Sequence, residues 1–176
     1  LDRVAELGKL AGGAKFSPTY IEGKLKFSPY IKDVMVVGGE TREYVSAMVN
    51  IDFDNVGKWA EDRNLPYTSF VDLSQKREVA ELMLREFIRV NHVAPEFSKV
   101  RKFVCLHKEF DPDEAELTRT RKLRRNFIQE RYQVLIDAIY QDETESMVEA
   151  SVTYRDGRQG VIATALKIWP VEDDNK

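Results

Sequence analysis

Two short apolar runs, residues 31–37 and 44–51, flank the turn-forming Gly38-Gly39-Glu40-Thr41. Rich in Val, Ile and Met and bounded by glycine, they read as two strands that pair as antiparallel neighbours. The rest of the chain has to pack around this pair, which forms the spine of the expected core.

The flanking segments follow from capping and periodicity. Ser17-Pro18 opens a helix, with Ser17 as N-cap, Pro18 at the first helical position and Ile21 and Leu25 on one face. It ends near Phe27-Ser28-Pro29. Asp52 or Asp54 caps a short helix through Val56, Trp59 and Ala60 that stops around Asn64-Leu65-Pro66. The longest helical pattern runs from Ser74 to about Val93, with Val79, Leu82, Met83, Phe87 and Val90 at a period near 3.6. Residues 99–106 alternate through Val100, Phe103 and Cys105 as a third strand. A solvated acidic loop, 109–116, leads to a basic segment, and the helical period returns from Leu123 to Tyr140. Beyond Gln141, Val148, Ala150, Val152 and Tyr154 alternate with polar neighbours. Asp156-Gly157 then turns the chain into a second alternating run, 161–169. The expected fold is α+β: a small mixed sheet of about three central strands, flanking helices, an N-terminal hairpin or loop, and an added C-terminal β-hairpin with an acidic tail. Residues 1–140 make the main unit and 141–176 the extension.

Composition removes several function classes. The 27 Lys and Arg against 30 Asp and Glu give a net charge of −3, which argues against non-specific binding to nucleic acid or anionic membrane. One cysteine, Cys105, rules out an internal disulfide framework, and with only His92 and His107 no metal site is expected. Asp111, Asp113, Glu114 and Glu116 lack the spacing of a Ca²⁺ loop. No apolar run reaches the roughly 18 residues of a membrane span. No secretory pattern and no initiator Met are present, so a fragment of a longer cytoplasmic chain is expected, with peripheral membrane contact left open.

Chemistry concentrates in two places. Between positions 119 and 131 lie Arg119, Arg121, Lys122, Arg124, Arg125 and Arg131, where a loop feeds a helix. Cations at a helix N-terminus oppose its dipole, so the cluster points to an anion, unless it is merely a solvated face. Near the start, Lys9-Leu10-Ala11-Gly12-Gly13-Ala14-Lys15 is a turn whose glycines also permit a ligand to come close.

The order of the two segments is more informative than either. Asp2-Arg3, the Lys-Leu glycine loop, Ser17-Pro18 with Ile21-Glu22, two strands, a long helix and then Leu117-Thr118-Arg119-Thr120-Arg121-Lys122-Leu123-Arg124-Arg125 resemble the C-terminal domain of AMP-forming acyl-CoA synthetases. The likeness covers about residues 2–140 and is nearest to the long-chain fatty acyl-CoA ligases.

The resemblance implies an ATP-dependent acid–thiol ligase whose C-terminal lid swings between adenylation of a carboxylic acid and transfer of the acyl group to coenzyme A. It implies Lys122 as the adenylation lysine, with Arg121 standing where the common motif has Gly. Loop 9–13, with Lys9, Gly12 and Gly13, would admit the pantetheine arm; Asp2 and Arg3 would belong to the linker, Arg3 on the ribose hydroxyls. The hinge would fall at Ala5 or Glu6, where the family usually carries Asp or Lys. ATP/AMP, coenzyme A and Mg²⁺ would be bound mainly by an N-terminal adenylation domain, the chain's own partner, with a fatty acid as substrate. This chain alone would then be inactive. Two readings of another class compete: a nucleic-acid or anion module using residues 119–131, and a protein-interaction or homodimer surface on the hairpin's edges.

Overall fold

A computed structural model of the chain describes residues 7–154 and 156–173. Its centre is the expected strand pair, β3 (Ile31–Val37) and β4 (Val45–Ile51), antiparallel with Val34 opposite Val49 and Met35 opposite Met48. All seven residues of β4 are buried. Both faces of this strand are covered, which is why the sequence shows a continuous apolar run there and no alternation.

Side chains of successive strand residues point to opposite faces, and they divide the interior into two layers. Val34, Val36, Ala47 and Val49 face a cluster completed by Ile21, Leu25, Trp59, Leu82, Met83 and Phe87. Met35, Val37, Met48 and Val104 face a second cluster with Ile128, Leu135, Ile136, Ile139, Leu166 and Ile168. β5 (Val100–Cys105) runs parallel to β4. A parallel neighbour needs a long crossover, supplied here by the helices between them.

On the first face, α1 (Pro18–Leu25) begins where expected: the Ser17 hydroxyl accepts from Tyr20 N at 3.2 Å and Pro18 occupies the first turn. Of the two candidate aspartates, Asp52 caps α2 (Phe53–Asp62), accepting from Asn55 N at 2.9 Å. The helix expected to start at Ser74 is divided. Ser69 caps a short α3 (Phe70–Ser74), and α4 (Arg77–Asn91) starts afresh behind Lys76 with no side-chain cap. Ser74 ends α3 and turns its hydroxyl back onto Val71 O at 2.9 Å, so it caps nothing. The pattern expected from Leu123 to Tyr140 likewise becomes α5 (Arg125–Arg131) and α6 (Gln133–Tyr140), with Tyr132 between them at φ −102, ψ 21. The apolar period continues across that break, which is why periodicity did not reveal it.

The C-terminal hairpin is present as β6 (Glu145–Thr153) and β7 (Gln159–Lys167), in register from Glu145 opposite Lys167 to Thr153 opposite Gln159. It is bound into the body: Leu166 and Ile168 fill the second layer, and Ala150 and Val152 pack on Val71 of α3. β8 (Trp169–Pro170) then pairs antiparallel with β5, so the main sheet has four strands in the order β3-β4-β5-β8. At the other end, β1 (Gly8–Lys9) and β2 (Lys15–Phe16) form a small hairpin.

Two chemical expectations meet the interior differently. Cys105 is buried and burial pushes its thiol up to about 12, the behaviour of a small hydrophobe. The acidic loop is not wholly solvated: Glu116 is 0% exposed, and its Oε1 accepts from Lys108 Nζ at 2.5 Å and Asp111 N at 3.1 Å. The loop folds its own donors around this carboxylate beneath the basic segment.

Candidate functional site

The two motif segments, more than 90 positions apart, line one cavity of about 840 Å³. One wall is Leu7, Gly8 and Phe16 from the N-terminal hairpin with Thr19, Glu22, Gly23 and Lys26 from α1; the facing wall includes Arg121, Lys122, Leu123 and Arg125, with Asp33 and Val36 of β3 between.

The lysine-bearing loop is a turn held by its own threonine. Thr118 N donates to Lys122 O at 2.8 Å, Lys122 N donates to Thr118 Oγ1 at 3.0 Å, and Leu117 bridges to Leu123. At its tip Arg121 has φ +61. Left-handed backbone is easy for glycine and costs other residues on the order of 1 kcal/mol.

The charges around the turn are sorted by pairing. Glu22, only 6% exposed, takes the Arg125 guanidinium in a two-pronged fork: Nη1 to Oε2 at 2.7 Å and Nη2 to Oε1. Glu22 Oε2 also accepts from Val36 N at 2.7 Å. Burial raises this carboxyl above its ordinary pKa, opposed by the bonds and charge of Arg125. Asp33, also 6% exposed, receives Arg121 at 3.3 Å and Lys26 at 3.4 Å. Outside the cavity wall, Arg124 donates to Ala115 O at 3.1 Å and lies over the Phe127 ring, and Arg131 pairs with Glu114 at 2.9 Å. The anion inferred from the basic cluster is therefore largely supplied from within the molecule. Lys122 is the exception: among the cavity's cations it alone has no side-chain partner among the described residues.

The other sequence candidates are placed as follows. Gly13 turns at φ +87, with Gly13 N donating to Leu10 O at 2.9 Å, and nothing lies within 4 Å of where a Cβ would stand on Gly12 or Gly13. These two glycines and the exposed Lys9 sit at and beside the hairpin tip, outside the cavity lining. Close approach is demanded instead at Gly8 and Gly38, whose added Cβ would stand 2.3 Å and 2.6 Å from the Phe16 ring. Asp2, Arg3, Ala5 and Glu6 lie outside the described residues. His92 is exposed and pairs with Asp173 at 3.0 Å, and His107 is buried. Among the described residues no group of three or more His, Cys, Asp or Glu side chains could hold a metal ion, and no helix is long and apolar enough to cross a membrane. Sequence reasoning did not assign Glu22, Asp33 and Arg125 to the site. The sole hint was that Glu22 and Arg125 stand inside the two motifs; Asp33 lies in a strand outside both, and no local pattern links positions 22 and 125.

Residues 9–144 match the family model of the AMP-binding enzyme C-terminal domain. This chain belongs to that family. Among curated relatives, the long-chain-fatty-acid–CoA ligase FadD15 of Mycobacterium tuberculosis is 28% identical over 142 residues, 80% of this chain and 24% of that protein. Long-chain-fatty-acid–CoA ligase 1 of Cavia porcellus is 29% identical over 143 residues, 80% of this chain and 20% of its own. The chain thus spans a quarter or less of the length of these relatives. The fold is shared with the A domain of carboxylic acid reductase from Segniliparus rugosus, solved with AMP and a co-purified carboxylic acid, at TM-score 0.64 and 18% identity over 80% of this chain and 20% of that one. It is shared too with the adenylation domain of a carboxylate reductase from Mycobacterium chelonae, at TM-score 0.63 and 24% identity over 81% and 20%. The AMP-binding C-terminal match ends at 144, so both strands of the C-terminal hairpin lie beyond it.

Proposed function

We propose that this chain is the mobile lid of an ATP-dependent, AMP-forming acyl-CoA ligase acting on a fatty or similarly hydrophobic acid, with Lys122 as its adenylation lysine. The observation that carries the reading is the unpartnered Lys122 side chain on a cavity whose other cations are all neutralised. An ammonium left free in such a place offsets the repulsion between a carboxylate and a phosphate and follows the charge that grows in the transition state, the kind of stabilisation that usually contributes most.

The donor set fits one anionic contact and no more. Glu22 and Asp33 are both engaged by cations, so among the described residues the cavity offers Mg²⁺ no free carboxylate. ATP/AMP, Mg²⁺ and the acid are assigned mainly to a preceding adenylation domain, and ATP when bound supplies the phosphoanhydride that the acid attacks. For the second half-reaction the hairpin tip, Lys9 with Gly12 and Gly13, is the part of this chain assigned to coenzyme A. Its open surroundings leave room for a narrow thiol-bearing arm. Asp2 and Arg3 are assigned to the linker and nucleotide ribose, with the pivot at Ala5 or Glu6. Residues 1–140 act as the lid and 141–176 as an extension of it. The nucleic-acid reading loses support because Arg121, Arg124, Arg125 and Arg131 are already engaged by the chain's own groups.

The test is to separate the half-reactions in the longer enzyme that carries this domain. Lys122→Ala should lower ATP–pyrophosphate exchange by about 10²–10³, while a supplied acyl-adenylate is still converted to acyl-CoA. Equal loss of both steps removes the role given to Lys122.

A further inference from the structure

What keeps Lys122 aimed at the cavity is not local. The turn 118–122 fixes its own backbone, but α5 is only seven residues long and its N-cap residue, Arg124, makes no side-chain cap bond. The adjoining segment therefore has little stiffness of its own. The anchor comes from 103 positions away, in the fork between Arg125 and Glu22. A bidentate guanidinium–carboxylate contact fixes a plane as well as a distance. Because Glu22 also accepts from Val36 N, the fork joins α5 to both α1 and β3. Arg121, on the other side of Lys122, is held to Asp33 of β3. The lysine is thus bracketed, one residue before and three after, by arginines pinned to buried carboxylates on the opposite wall.

Buried ion pairs add little net stability over apolar packing of the same volume, so this fork is better explained by the geometry it imposes. Resting on the role of Lys122 above, we propose that Glu22 is a positioning residue: through Arg125 it holds the 117–124 loop against the α1–β3 wall so that the Lys122 ammonium is presented to the cavity.

Two conservative variants test this. Glu22→Gln keeps the shape and an acceptor for Val36 N but removes the charge, whereas Arg125→Lys keeps the charge and removes the fork. In this chain both should speed amide hydrogen exchange at residues 117–124 by about tenfold or more while amides of β3, β4 and β5 keep their protection. In the longer enzyme both should lower the adenylation kcat by about tenfold or more, with KM for ATP and acyl transfer from supplied acyl-adenylate little changed. Unchanged exchange at 117–124, or exchange raised evenly across the domain, overturns the positioning role. Selective loosening of the loop sustains it even where Lys122→Ala leaves adenylation intact; then only the assignment of Lys122 falls.

Discussion

Gly8 lies against the ring of Phe16 so closely that a Cβ built on it would stand 2.3 Å from the ring's Cζ. Phe16 is 4% exposed, so its ring has little room to withdraw. Gly8→Ala should therefore destabilise the chain by about 1–3 kcal/mol through overpacking. Gly38→Ala, facing the same ring at 2.6 Å, should behave alike. Gly12→Ala should stay within about 0.5 kcal/mol, because its surroundings are open. Thermal unfolding of the three variants decides it: a neutral Gly8→Ala would remove the packing claim.

Arg121 holds a left-handed backbone and a half-buried ion pair to Asp33 at once. Substituting Gly and Ala separates these, since both variants lose the pair and only Gly relieves the backbone. Arg121→Gly should be more stable than Arg121→Ala by about 1 kcal/mol. Equal unfolding midpoints would mean that the tip of the lysine turn is not left-handed in solution.

His107 is kept neutral inside the fold. Burial foremost, then the charges of Lys108 and Arg131, lower its pKa from 6.5 to about 4, with Glu114 opposing. Between those values the unfolded chain binds the extra proton, so stability present above about 6.5 declines as pH falls toward 4. Glu22 acts in the other sense: its folded pKa is raised, so its protonation on acidification favours the folded state. Replacing His107 with Leu should flatten the fall in urea midpoint over this interval. A slope identical to wild type would show that the ring is not the group that titrates.

Leu166, on the C-terminal hairpin, is fully buried among α6 and β3 side chains. Leu166→Ala should cost about 2–5 kcal/mol in chemical unfolding, as expected for a core leucine. Val161→Ala on the same strand, where Val161 is largely exposed, should cost little. If both changes proved harmless, the hairpin would be an independent appendage.

Much of this architecture could be read from the chain because its signals are local. Ser17-Pro18, Asp52, the runs around β3 and β4, and Asp156-Gly157 each carry their structural meaning within a few residues. The loop that feeds α5 was legible for the same reason, but the closing of that loop by Thr118 onto Lys122 was not. What escaped is long-range or continuous with its surroundings. Glu22 gives no sign that it meets Arg125, because partner choice across 103 positions depends on how helices dock. Glu116 looked solvated beside Asp111, Asp113 and Glu114, since nothing in an acidic stretch marks which member turns inward. The breaks at Gln75 and Tyr132 preserve the apolar period, so a pattern of spacing passes over them. Gly8 and Gly38 matter through a ring that only the tertiary structure brings between them.

The tie between α1 and α5 has a mechanical consequence. The glycine hairpin runs straight into α1, and the lysine turn runs straight into α5, so a latch between those helices makes the two loops parts of one stiff body. Neither loop can shift by itself while that latch holds. In the lid role proposed above, exchanging one loop for the other would require this body to move as a unit.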